Sequence, residues 1–147
     1  MRRTRRASRQ RGSVLVEFAL VLPLLVLIVM LVLEGSRLVR THQVLNNAAR
    51  EGARLSVIQE NLGSTDAIIA EVVTYATQNG VPLTAGGVTV NQTASIPTPS
   101  GTPMSASVVT VSYTYTMNYL SVFAWLGVPS QYPLQGSAEF RNFYNPN

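Results

Sequence analysis

The chain contains no cysteine and no lysine, and its 147 residues include one histidine and one tryptophan. Without cysteine, an oxidising exterior cannot be exploited through disulfides, although the absence assigns no compartment by itself. Without lysine, every basic side chain is an arginine, which we read as compositional bias rather than mechanism. The lone His42 sits on a polar stretch, where a surface role fits better than that of ligand or base. The acids Glu60, Asp66 and Glu71 show no paired spacing with a nucleophile or with metal ligands. Gly86-Gly87 reads as a turn and not as a phosphate loop. These absences argue against an enzyme and against any cofactor or metal; a small-molecule substrate is not expected.

Acidic charge is also missing from the first twelve residues. Arg2, Arg3, Arg5, Arg6, Arg9 and Arg11 give that stretch +6, whereas the remainder sets five arginines against seven acids, a balance of −2. A basic chain can signal nucleic-acid binding. Here the basic residues form a short tail against an apolar run, so no nucleic acid is expected. The positive-inside rule accounts for the tail and places the N-terminus in the cytoplasm, with everything after Leu33 on the far side.

From Ser13 to Leu33 the sequence is SVLVEFALVLPLLVLIVMLVL, with Glu17 as its single charge. As a helix that run is about 32 Å long, enough to cross a bilayer core. It is long for the apolar core of a removable signal peptide, and Glu34-Gly35-Ser36-Arg37 offers no clear small-residue cleavage site. Arg5-Arg6 lacks the apolar residues expected after a twin-arginine motif. A plain signal anchor would explain the length and the arginines but not Glu17. A carboxylate within such a span costs about 2.5–3.5 kcal/mol, so it marks a functional position. Cleavage after Gly12 would expose the α-amine of Ser13 one helical turn from Glu17, and the two charges could then neutralise each other within one chain or between neighbours.

Beyond Leu33 the helical pattern continues. Leu38, Thr41, Leu45, Ala48, Gly52 and Leu55 recur at spacings of three and four, with Arg37, Arg40, Gln43, Asn47, Arg50 and Arg54 mostly off that stripe. One helix is expected from about Ser13 to about Ile58, transmembrane and then amphipathic, loosened near Ala19 because Pro23 lacks a backbone donor. Gly35 and Ser36 are only weak breakers.

Asn61 to Thr65 reads as a break, and Ser64 or Thr65 can cap a second helix whose apolar face is Ile68, Ile69, Val72, Val73 and Ala76. Asn79-Gly80 and Pro82 end it. The period then becomes two. Val109, Val111, Tyr113, Tyr115 and Met117 alternate with Thr110, Ser112, Thr114 and Thr116, which predicts a strand with one buried face. Val88 and Val90 suggest a shorter strand before it, joined by a loop over 95–103, and residues 136–143 a third. Tyr119 to Leu126 predicts one or two helical turns. The expected fold class is α+β, with about three antiparallel strands. The expected organisation is a basic leader (1–12), a transmembrane helix (13–33), an extracytoplasmic continuation (34–60) and a small extracytoplasmic α+β domain (61–147).

Two segments carry a family resemblance. RGSVLVEFALVLP across the Gly12 junction, followed by NNAAREGAR at 46–54, resembles the TadE-like proteins, minor pseudopilins of the tight-adherence (Flp-type) pilus. The resemblance implies an inner-membrane subunit and a prepilin-type peptidase acting between Gly12 and Ser13. It also implies that Glu17 corresponds to the intramembrane acid of pilin subunits. Partners would be other pilin-like subunits and the assembly platform. Flp-type motifs usually place tyrosine after the glutamate; this chain has Phe18, which keeps the ring and loses the hydroxyl.

The second segment also has a physical reading. Ala48 and Gly52, like Ala49 and Ala53, lie four apart on one helix face and permit close approach of another backbone, while Arg50 and Arg54 share a neighbouring face with Glu51 beside them. That backbone can belong to another subunit or to the chain's own strands, which need a helix over their apolar face. A competing functional class is a membrane-tethered binding module that keeps its leader and recognises a ligand through the tyrosine-rich strand or the Trp125 segment.

Overall fold

The computed structural model describes residues 5–58, 61, 63–97, 101 and 103–141. Helix α1 spans Arg5–Ser56, helix α2 Thr65–Gln78, and strands β1, β2 and β3 span Val88–Ile96, Met104–Thr116 and Gln131–Arg141. Short 3-10 turns lie at Ala85–Gly87 and Leu120–Leu126. The class is therefore α+β: a long apolar N-terminal helix, one short helix and a three-stranded antiparallel sheet in the order β1-β2-β3.

Helix α1 starts earlier than the apolar pattern predicts, at Arg5 rather than about Ser13. Arginine is a good helix former and no proline or glycine interrupts residues 5–11, so nothing in that run stops propagation. Pro23 lies inside the helix without ending it. Ser36 also lies inside the helix without ending it, its hydroxyl donating to the Val32 carbonyl oxygen at 2.8 Å. Helix α2 begins as expected, but Ser64 in the cap position makes no side-chain capping hydrogen bond. Its end is tighter: Gly80 N donates to Thr77 O and Val81 N to Ala76 O, the paired bonds of a Schellman motif.

The chain divides into two compact units. One comprises residues 37–116 and 131–147, and here the core is built. Val88 pairs with Val111 and Val90 with Val109 across β1 and β2; Val109 pairs with Ala138 and Val111 with Gly136 across β2 and β3. These residues share one face by the period of two. That face meets Leu45, Ala48, Ala49 and Ala53 of α1 and Ile68, Val72 and Ala76 of α2 in one cluster. Leu45, Ile68, Val72, Val109 and Val111 are fully buried, each contributing about 1.5–3 kcal/mol.

Strand boundaries are wider than the alternation predicts. Strand β1 runs through Ser95 and Ile96, β2 starts at Met104, and β3 starts at Gln131 rather than 136. Small and polar residues at these ends carry little periodic signal, and the pairing with a neighbour extends them. Residues 142 and 143 of the expected third strand lie outside the described residues.

The other unit comprises residues 1–36 and 117–130. Its second segment is a closed loop: Met117 N donates to Ser130 O at 2.9 Å, and the 3-10 turn between ends at Gly127, whose N–H returns to Ala124 O.

Candidate functional site

The residues singled out in the sequence fall on α1. Gly12, Ser13, Glu17 and Pro23 all lie in its first half. The side chains of Ser13 and Glu17 are exposed, as are those of Val14, Leu15, Val16 and Phe18. Among the described residues Glu17 forms no ion pair. Ser13 and Glu17 are an i, i+4 pair, so both stand on one helix face about 6 Å apart along the axis. From Ser13 to Leu33 nearly every large apolar side chain faces outward; by length and composition this helix can cross a membrane.

The second group lies within the core unit. Ala48, Ala49 and Ala53 are fully buried. A Cβ on Gly52 would collide with the Val72 side chain and lie 3.2 Å from Val109 Cγ1. The small residues thus pack against this chain's own α2 and β2. Arg50 is exposed, and Arg54 donates to Glu51 Oε1 at 2.7 Å on the outer surface. That hydrogen bond, aided by the carboxylate's charge, raises the Arg54 pKa above its ordinary value. Exposed pairs of this kind add little stability.

Three polar connections were not legible in the sequence. The Ser56 and Ser107 hydroxyls, both buried, bond each other at 2.6 Å, and Ser56 also bonds the Ala53 carbonyl oxygen. At a β-bulge in β1, Gln92 accepts from Gly63 N and donates to the carbonyl oxygens of Ser56 and Asn61, tying the end of α1 to the chain that follows. In the other unit Glu34 is 2 % exposed; its carboxylate accepts the backbone N–H of Tyr119 at 2.8 Å and of Asn118 at 3.4 Å. The only available signal for Glu34 was an acid placed directly after the apolar run.

Among the described residues no three His, Asp or Glu side chains are grouped to hold a metal ion. His42 is exposed and bonded to Asn46 one turn on. A shallow depression across β2 and β3, lined by Ser112, Tyr113, Thr114, Pro133, Leu134 and Gln135, offers no carboxylate, imidazole or guanidinium.

Residues 12–54 match the family model of TadE-like proteins, a structural and pilus-related family. The match begins at Gly12, inside the first segment that carries the resemblance, and ends at Arg54, the last residue of the second. No curated protein and no solved structure matches the chain.

Proposed function

We propose that this chain is a minor pseudopilin: a single-pass structural subunit, without catalytic activity or cofactor, that assists assembly of a tight-adherence (Flp-type) pilus or a related secretion apparatus. The observation that carries this reading is where the family match begins. It starts at Gly12, where the arginine-only charge ends, and runs through Glu17 and the outward-facing apolar helix.

In this reading residues 1–12 stay in the cytoplasm and 13–33 cross the cytoplasmic membrane of a bacterium. Residues 34–60 continue outside, helical through Ser56, and lead into the α+β domain of 61–147. A prepilin-type peptidase cuts between Gly12 and Ser13. The new ammonium on Ser13 faces Glu17 of its own chain or of a neighbouring pilin-like subunit, and the pair neutralises charge that lipid would otherwise penalise. The apolar flank of α1 packs against other subunits and the assembly platform. Ala48, Ala49 and Gly52 are engaged by their own fold, leaving Arg50, Glu51 and Arg54 on the outer surface for polar contacts.

N-terminal sequencing of the chain isolated from membranes of pilus-producing cells tests this. A first residue of Ser13 is expected. An intact Met1 on the membrane-embedded chain would overturn processing and favour the tethered binding module.

A further inference from the structure

The loop at Met117–Ser130 has features that the function above does not use. Between Glu71 and Glu139 the chain carries no charged residue, so this loop has none. Trp125 is 78 % exposed and Tyr119 38 % exposed. The loop is fastened to α1 at Glu34, the residue directly after the apolar run.

Along that run the burial is not uniform. From Ser13 to Ser36 only Leu27, Met30 and Glu34 lose exposure. They are spaced three and four apart, hence on one face. Leu27 and Met30 lie about 10 and 6 Å from Glu34 along the axis, back toward the apolar stretch. In this unit the segment other than α1 is the loop itself.

We propose that Met117–Ser130 is immersed in the membrane, in the leaflet from which α1 emerges near Glu34, and that Trp125 is its interfacial anchor. This rests on the reading of α1 as a membrane span. The occupant is lipid because the exposed apolar surface is continuous: Val29, Leu31, Val32 and Leu33 face outward on the helix immediately before the residue that holds the loop. Tryptophan and tyrosine favour that depth, with the ring in an apolar layer and the polar edge near headgroups. Immersion also gives Glu34 a task. Backbone N–H groups need partners where water is scarce, and the Glu34 carboxylate supplies acceptors for Asn118 and Tyr119 at the start of the turn. The Met117–Ser130 bond closes the loop behind it. Glu34 is then a positioning residue, acting on the membrane through the loop.

Trp125 is the chain's sole tryptophan, so its fluorescence reports this loop alone. The full chain is reconstituted into phosphatidylcholine–phosphatidylglycerol vesicles, with or without phospholipids brominated near the headgroup end of the acyl chains. Blue-shifted emission, quenched by the brominated lipid and spared by aqueous iodide, is expected. Quenching by iodide and not by bromine overturns the proposal, with the loop in water. Protection from both overturns it as well and assigns the surface to another protein chain. Resistance to alkaline extraction, read on the same vesicles, reports the span separately. A resistant chain whose Trp125 is in water defeats the loop proposal alone; a chain that extracts defeats the membrane span and this inference with it. In Glu34→Ala the brominated-lipid quenching should be lost while resistance to extraction persists, and Glu34→Gln, which keeps one acceptor, should recover part of it. Unchanged quenching in Glu34→Ala would remove Glu34 from the positioning role.

Discussion

Gly136 of β3 lies against the Leu45–Asn46 peptide of α1. A Cβ at Gly136 would come within 2.7 Å of the Leu45 carbonyl carbon and 2.8 Å of the Asn46 nitrogen. Backbone cannot rotate away as a side chain can, so the absence of a side chain at 136 sets how closely helix and strand pack. Gly136→Ala should therefore destabilise the core unit by about 1–3 kcal/mol. Gly86→Ala, where nothing lies within 4 Å, should stay within about 0.5 kcal/mol. Chemical unfolding of the detergent-solubilised chain, followed by circular dichroism, compares the two; equal midpoints would contradict the close approach.

At Gly52 the obstacle is a side chain. Gly52→Ala drives a methyl group into Val72, and Val72→Ala alone leaves a cavity. Combined, the two changes offset each other. The double variant should be more stable than the sum of the singles by roughly 0.5–3 kcal/mol. Strict additivity in a double-mutant cycle would show that Gly52 and Val72 do not meet.

The buried Ser56–Ser107 pair behaves differently from the exposed Arg54–Glu51 pair. Ser107→Ala removes one hydrogen bond of the buried Ser56 hydroxyl, which keeps the Ala53 carbonyl oxygen, and should cost about 0.5–1.5 kcal/mol. Replacing both serines by alanine should recover part of that loss. Arg54→Ala should leave the unfolding midpoint almost unchanged, and raising the salt concentration should erase any remaining difference. Unfolding midpoints of the three variants read out this order.

Processing can be tested at the junction. If a peptidase with a small-residue subsite cuts after Gly12, Gly12→Leu should leave the chain in the membrane with its leader attached. Intact-mass measurement of the purified variant should show the full-length species. A variant trimmed like the parent chain would mean that Gly12 does not define the cut.

For Glu17 the two readings predict opposite signs. In a plain anchor, Glu17→Val removes an insertion penalty of about 2.5–3.5 kcal/mol and costs nothing else. If Glu17 pairs with a Ser13 ammonium, the same change strands a charge in an apolar assembly, a loss of about 3–5 kcal/mol. Membrane level and leader cleavage should then persist, while co-purification with pilin-like subunits and pilus-dependent adherence fall sharply. Normal adherence in cells carrying Glu17→Val would reject the pairing.

Much of this architecture is local and was legible in the residues. A long apolar run after a cluster of arginines dictates one continuous helix, since each turn reports only on its neighbours three and four positions away. The alternation through Val109, Val111, Tyr113 and Tyr115 dictates a strand for the same reason at a period of two. The spacing of Ala48, Gly52, Ala49 and Ala53 marked a face built for close approach, although it did not say to what.

The tertiary structure alone decided the partners. That Gly52 meets Val72 and Val109, that Leu45 lies on Gly136, and that Ser56 bonds Ser107 are encounters between segments far apart in the chain. The Glu34 carboxylate holds backbone amides more than eighty residues away. Periodicity encodes which face of an element is apolar, because that depends on helix and strand geometry alone. Which other face it meets depends on how strands pair, where loops close and how near two backbones can come. Those quantities exist only once the whole chain has folded.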